Sequence, residues 1–379
     1  MMRMRRSPLE GIGTTQASIV KYLRRKGSAS RVEIAELCGV TPAAVSMMTR
    51  DLIERGIIVE GARRQTGRGA PPIDLTLNPF AAYALGIHAN RFLVTLTLLD
   101  FCGTTVGELQ LPGAYSTFAN VKSEIKQGKE LLLARNGIDA NLLIGAGIAM
   151  PTRFRQDTAF LDLAEEIISW AGSDLSSSLQ LSLGCPIIIE NDANAAAMGE
   201  LTLGNAANYQ HFAYLYLSEG IGSGIIIGQE LYRGNVGNAG EIGALRSRGL
   251  SRPSFEDLAG WCHERVGHIP QGRSSETWTE YLNGNSAIFE AWLDRAGPET
   301  ARLAFMMAAV LAPSAIYIGG TLPKMVRERL AGWLDFAQSN PFEGARVLQP
   351  QILIPQISAT DSVALGAAAM ILHALPELL

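Results

Sequence analysis

Residues 214–245 read YLYLSEGIGSGIIIGQELYRGNVGNAGEIGAL. β-Branched and aromatic runs flank a glycine-rich turn at Gly220, Gly222 and Gly224; a third short strand follows, and the next loop ends in Gly240-Glu241. The pattern predicts a strand-turn-strand hairpin shaped to approach a ligand. Glycines let the backbone curve tightly and offer bare N–H groups to an anion, and an acidic residue at the loop's end suits a polyhydroxylated ligand. Taken alone, the stretch fits an ordinary hairpin with a permissive turn equally well.

Working outward, residues 82–111 form a similar three-strand opening, AYALGIHA, RFLVTLTLLD and TVGELQL, turned at Phe101-Cys102-Gly103. A helix over 117–135 would turn Val121, Ile125 and Leu131 to Leu133 inward. LLIGAGIAMP and CPIIIE read as buried strands, and a helix begins at Asp192. After the hairpin come helices over 285–295 and 298–311, strand SAIYIGG, a helix over 322–338, strand QILIPQIS and a helix over 361–374. Two halves with the same opening predict a duplicated α/β unit with a ligand cleft between its lobes.

The first 80 residues are of another kind. They carry 13 of the chain's 32 basic residues against 7 of its 36 acidic ones, a balance of +6, whereas the remainder carries 19 against 29. A basic head on an acidic body points to a polyanion partner. Within the head, Ile19, Val20 and Leu23 lie at helical spacing before Gly27. Ser30 and Glu33 form a capping box for a second helix with Ile34, Ala35 and Leu37 inward, and Thr41-Pro42 opens a third helix that runs to about Gly56. This is helix-turn-helix spacing. Val40, Val45, Leu52 and Ile53 would face the core, leaving Thr41, Pro42, Ala43, Ser46, Met47 and Arg50 for a major groove. Strands over 57–60 and 73–77 would hold a wing with Arg63, Arg64 and Arg68, glycine-rich and suited to phosphates or a minor groove.

With 379 residues, 47% of them hydrophobic and 18% charged, the chain is expected to form two or three folded domains. Residues 1–80 would be a winged helix-turn-helix and 81–379 a two-lobed body. No apolar run approaches the roughly 20 residues that span a membrane, and the basic N-terminus lacks the apolar core of a secretory signal, so a cytoplasmic protein without membrane contact is expected. Four cysteines without CxxC spacing read as free thiols.

The motifs IIIENDANAAAMGE, LSEGIGSGIIIGQELYRGNVGNAGEIG, AIYIGGTL and ALGAAAM occur in the order found in the ROK family of repressors, open reading frames and kinases, which the chain resembles over nearly its whole length. The head resembles that of the family's xylose and N-acetylglucosamine-type repressors. The resemblance implies two ribonuclease-H-like lobes, as in actin and hexokinase. It also implies that Asp192 stands at the kinase's general-base position, with Asn191, Glu241 and Glu256 beside it as sugar-binding groups. Asp192 equally suits a helix N-cap, and the two roles are compatible.

The sequence departs from the family's kinases at their phosphate loops. Where they carry Asp-x-Gly-Gly-Thr, this chain has His88-Ala89-Asn90-Arg91-Phe92, and Glu219 replaces the usual Thr of the second loop. A carboxylate near a polyphosphate repels it by about 4 kcal/mol at 4 Å and intermediate dielectric. Arg91 could attract a phosphate, and Gly319-Gly320-Thr321 survives, though a strand-to-helix turn explains it equally well. The family's zinc site is absent: position 244 is Ala, and Cys262, His263 and His268 follow no zinc spacing.

The expectation is a non-catalytic kinase homologue acting as a sugar-responsive repressor, with Asp192 vestigial for catalysis and with neither metal nor cofactor. Its partners would be a double-stranded DNA operator, a sugar or sugar-derivative effector, and itself as dimer or tetramer. Two alternatives stay open: a sugar kinase with an appended DNA-binding head, and a DNA-bound scaffold with a degenerate cleft.

Overall fold

Local capping signals set the head. In the computed structural model, which describes residues 9–63, 72–90, 93–113, 115, 117–154, 161–163, 167, 170, 174–245, 252–337, 346–357 and 361–375, helix α1 spans Thr14–Lys26 and stops at Gly27. A short strand β1 (Ala29–Ser30) leads into α2 (Arg31–Cys38), where the Ser30 amide donates to Glu33 Oε2 at 2.6 Å and the Glu33 amide to Ser30 Oγ at 3.3 Å. Gly39, at φ +62°, takes the left-handed turn that ends α2. Helix α3 (Pro42–Glu54) is capped by Thr41, whose Oγ1 accepts from the Ala44 amide at 3.3 Å. Strands β2 (Ile58–Arg63) and β3 (Ile73–Leu77) pair antiparallel in a sheet of order β1-β3-β2.

One expectation in the head fails. Leu37 is 51% exposed, because at about 100° per residue it lies about 110° round the helix from the midpoint of buried Ile34 and Ala35. Val40 and Ile53 are half-buried, whereas Val45 and Leu52 are fully inside.

Strands β4 (Tyr83–Ala89), β5 (Leu93–Asp100) and β6 (Thr105–Pro112) form an antiparallel meander, followed by α4 (Phe118–Arg135). Strand β7 (Leu143–Met150) returns parallel to β4; β8 (Thr152–Phe154) and β9 (Leu161–Leu163) pair apart; α5 (Leu175–Leu183) leads to β10 (Ile187–Asn191), parallel to β7. Helix α6 covers Asp192–Thr202. The second sheet repeats the scheme with β11 (His211–Leu217), β12 (Ile221–Ile227) and β13 (Glu230–Leu231). Helices α7 (Phe255–Val266), α8 (Ser275–Gly284) and α9 (Ser286–Leu311) precede β14 (Ala315–Gly320), α10 (Lys324–Ala331), β15 (Gln351–Leu353) and α11 (Ser362–His373). The sheet orders, β10-β7-β4-β5-β6 and β13-β12-β11-β14-β15, are the same order counted within each half, as expected of a duplication.

The chain divides into two compact units. One comprises Met1–Arg153, Asp157–Asp192 and Ala359–Leu379, so the head, the first sheet and α11 fall together; the other comprises Phe154–Gln156 and Ala193–Ser358.

Four sequence readings of the second unit are corrected. Gly222 and Gly224 lie inside β12, not in the turn, and serve packing: a Cβ at Gly224 would stand 2.5 Å from the Ala197 Cβ and 2.8 Å from the Ala193 carbonyl of α6. Helices 285–295 and 298–311 are one helix, α9, running through Pro298. Phe289, Trp292, Leu293 and Ala296 before the proline and Ala304, Phe305 and Met307 after it enter the same core, and this shared burial overrides the lost amide. The helix expected over 322–338 ends at Ala331, and the strand expected over 351–358 ends at Leu353.

Glu200 of α6 carries a testable consequence. It is 1% exposed. Burial pushes its carboxyl up to about 6 from 4.5, against the opposing pull of the Ile357, Asn205 and Gln356 amides and Arg327. Because the folded value is the higher one, the associated stability is fully present below pH 4.5 and is lost as pH rises through about 6. Glu200→Gln, neutral throughout, should therefore stabilise the protein by about 2 kcal/mol at pH 8 and by nearly nothing at pH 4. Urea melts at the two pH values measure the difference.

Candidate functional site

The helix-turn-helix presents one face of α3. Thr41, Pro42, Ala43, Ser46 and Arg50 are exposed, Met47 is 70% exposed, and Val45, Thr49 and Leu52 anchor the opposite face. Buried Thr49 donates to the Val45 carbonyl at 2.8 Å and accepts from Arg31 Nε at 3.1 Å. Arg31 also meets Glu60 Oε1 of β2 at 2.8 Å, and Gln16 of α1 donates to Asp51 Oδ2 at 2.7 Å. The helix is thus braced from α1, α2 and the wing sheet, which holds its small, uncharged tip in one orientation. Arg63 ends β2, and Arg64 and Arg68 lie outside the described residues.

The first body sheet carries its polar residues at the carboxyl ends of its parallel strands, where open α/β sheets bind ligands. His88 of β4, Ala149 of β7 and Glu190 of β10 are in register, with Asn191 and Asp192 next along the chain. Asn191 Nδ2 donates to the Thr152 carbonyl at 2.9 Å, and its amide donates to Glu190 Oε1 at 2.9 Å. Asp192 opens α6, where the helix dipole favours a carboxylate.

His88 Nδ1 lies 2.7 Å from Asp361 Oδ2, and both side chains are nearly buried. The other Asp361 oxygen caps α11, accepting from the Val363 amide at 2.9 Å and the Ala364 amide at 3.2 Å. Burial alone would raise the Asp361 carboxyl, but the His88 ring and the Ala364 amide outweigh it and hold it below the ordinary carboxylate range. The His88–Asp361 pair therefore fills the carboxyl end of β4, the segment that stands where the sequence resembles the kinases' first phosphate loop. Arg91 and Phe92 lie outside the described residues.

In the second unit, the β11–β12 turn brings Glu219 against Arg273, which also stacks 5.0 Å from the Phe255 ring. The carboxylate that stands in place of the usual Thr, Glu219, is paired with Arg273, which offsets the repulsion it would exert on a polyphosphate. The Phe255 amide donates to the Ser218 carbonyl at 2.7 Å, placing Glu256, exposed in the first turn of α7, beside the same turn. Glu241 is exposed, and its loop is pinned to β12 where the Ser223 amide and Oγ donate to the Gly240 carbonyl at 3.1 and 2.9 Å. Gly240, at φ +93°, sits where a Cβ would strike the Ser223 carbonyl. Gly319 and Gly320 have a structural explanation, since a Cβ on either would collide with the Tyr214 ring or the Leu217 backbone.

Cys262 is buried, and burial pushes its thiol up to about 11, while His263 and His268 are exposed. Among the described residues no three His, Cys, Asp or Glu side chains gather as a metal-ligand set, and no helix is long and apolar enough to cross a membrane. All four cysteines are free.

A family model described as the ROK family matches residues 95–373, well over half of the chain. The chain belongs to the ROK family. A winged helix-turn-helix DNA-binding model matches residues 14–59 of this ROK protein. An uncharacterised protein, y4fQ, of Sinorhizobium fredii (strain NBRC 101917 / NGR234) is 24% identical over 337 residues, covering 89% of this chain and 84% of that protein. The xylose repressor of Bacillus subtilis (strain 168) is 30% identical over 235 residues, covering 61% of this chain and 59% of the repressor, less than two thirds of its length. A crystal structure of a ROK family transcriptional regulator, a homolog of the E. coli MLC protein, superposes with a TM-score of 0.70 at 16% identity, covering 95% of this chain and 96% of that one. At that identity the likeness establishes the fold: a winged helix-turn-helix followed by a two-lobed, actin-like α/β body.

Sequence reasoning missed Arg273 and Asp361. Asp361 was readable as a helix cap before an apolar run, but its pairing with a residue 273 positions away was not.

Proposed function

We propose that this ROK protein is a sugar-responsive transcriptional repressor that acts in the cytoplasm as a dimer or tetramer and does not phosphorylate its ligand. The head reads an operator with Thr41, Pro42, Ala43, Ser46, Met47 and Arg50 of the α3 segment, while Arg63, Arg64 and Arg68 of the wing neutralise phosphates. The sugar is gripped by Asn191, Asp192, Glu241 and Glu256, because carboxylates make the stronger, charge-assisted bonds to hydroxyls. Paired heads would span half-sites about 34 Å apart, and a sugar that moves one head against the other releases the operator.

The observation that carries this reading is the pairing of an exposed groove-sized helix face with a body whose first phosphate-loop position is an ion pair, His88–Asp361. At the second loop Arg273 offsets the charge of Glu219, so the reading rests on the first loop. The name of the Bacillus subtilis relative supports a pentose or similar sugar as effector.

A thermal-shift screen of pentoses, hexoses and N-acetylated hexosamines tests the ligand site. One sugar should raise the melting temperature, with a stabilisation of about 2.7 kcal/mol at 100 times its Kd. Glu241→Ala and Asp192→Asn should each remove most of that shift. A flat response to every sugar would leave the DNA-bound scaffold. Asp192 at its kinase position favours the second reading, a kinase, which requires ATP consumption that Asp192→Asn abolishes.

A further inference from the structure

Helix α11 joins two features that are far apart in sequence. Its first turn is capped by Asp361, the partner of His88. Its last turn receives Arg24 from α1 of the head: Nη1 donates to the Leu372 carbonyl at 2.9 Å, Nε donates to the Phe101 carbonyl at 3.2 Å, and the guanidinium lies 5.1 Å from the Phe101 ring. A cation at a helix C-terminus is electrostatically favoured. The twelve residues between these ends span about 18 Å.

The helix is built to move as one piece. Val363 to Leu372 are all buried, and Gly86 of β4 and Gly147 of β7 let backbone touch backbone, since a Cβ on either would collide with the Ala364 or Ala367 carbonyl. Such a packed rod shifts whole or not at all. The Arg24 contact, in contrast, is poised to break. Its guanidinium is buried, Nη2 has no hydrogen-bond partner, and Asp100, the nearby carboxylate, uses Oδ1 on the Cys102 and Thr104 amides. Burial accordingly lowers the guanidinium to about 10, even with Cys102 and Asp100 opposing the shift. Two directional hydrogen bonds, to the Leu372 and Phe101 carbonyls, are what hold this cation, so a shift of the α11 C-terminus breaks one of them and leaves a buried charge with fewer partners.

We propose that α11 is a coupling strut, with Arg24 as its positioning residue on the head: whatever alters the His88–Asp361 pair at one end shifts the docking of the DNA-reading head at the other. The proposal rests on the regulator reading for its purpose, not for its physics.

Hydrogen exchange of the full-length protein tests it. Asp361→Ser keeps a helix cap while deleting the ion pair, and His88→Asn is a second route to the same deletion. Arg24→Met keeps the volume without the charge. Each single variant should raise exchange in α2 and α3 at least fivefold, and adding Asp361→Ser to Arg24→Met should raise it no further. Sites this far apart normally act additively, so additive effects would overturn the strut, as would faster exchange confined to β4 and α11. The same variants are assayed on a duplex selected by the native protein from random sequence. Asp361→Ser should change its affinity at least fivefold with Arg24 present and not with Met there; an unchanged affinity also overturns the proposal. A native protein that selects no sequence refutes the regulator reading, and exchange then decides the strut alone.

Discussion

Ser46→Glu is expected to weaken binding to the protein's selected DNA duplex by at least about 100-fold while leaving the protein's melting temperature unchanged. Ser46 is exposed at the centre of the face formed by Thr41, Pro42, Ala43, Met47 and Arg50. A carboxylate brought within about 4 Å of a phosphate there is repelled by about 4 kcal/mol at intermediate dielectric, and salt reduces this only in part. Folding should be indifferent, because Glu is a better helix former than Ser and the lost bond, Ser46 Oγ to the Pro42 carbonyl, is at the surface. Gln127→Glu, exposed on α4, makes the same change in net charge and should leave binding intact. Equal loss in both variants would mean that only bulk charge matters. Arg50→Ala should cost less, about tenfold, and flatten the salt slope by about 0.9 if Arg50 meets a phosphate.

Gly147→Ala is expected to be among the most damaging single-methyl changes in the body. The added Cβ would overlap the Ala367 carbonyl, and a backbone atom cannot rotate away as a side chain can. Relief requires α11 to lift from β7, so a loss above about 3 kcal/mol and a fall of about 10 °C in melting temperature are expected. Gly260→Ala is the contrast. Gly260 lies exposed within α7 with nothing within 4 Å of a Cβ, and should gain up to about 1 kcal/mol from helix propensity. Equal effects at the two positions would contradict the close α11–β7 packing.

What the sequence disclosed and what it hid divide along contact distance. The Ser30–Glu33 box, the Thr41 cap and the left-handed Gly39 are local devices, and each was legible because its partner lies within four residues. The repeated three-strand opening was legible from its β-branched and aromatic runs bounded by turn residues. Gly222 and Gly224 were misplaced because turn glycines and packing glycines look alike until a facing helix, here α6, is known. Pro298 was read as a break because local propensity could not weigh the shared core on either side of it. At the ligand site, motif order nominated Asn191, Asp192, Glu241 and Glu256. The partners that give His88 and Glu219 their meaning, Asp361 and Arg273, came only with the fold.

The central claim is that the body kept its grip on a sugar, abandoned the nucleotide, and reports to a DNA-reading head. Fluorescence anisotropy of the selected duplex, titrated with each sugar in the presence and absence of magnesium ATP, measures it directly. One sugar alone should weaken binding at least about tenfold, with ATP adding nothing. Binding that no sugar alters, or that responds only when ATP is present, would contradict it.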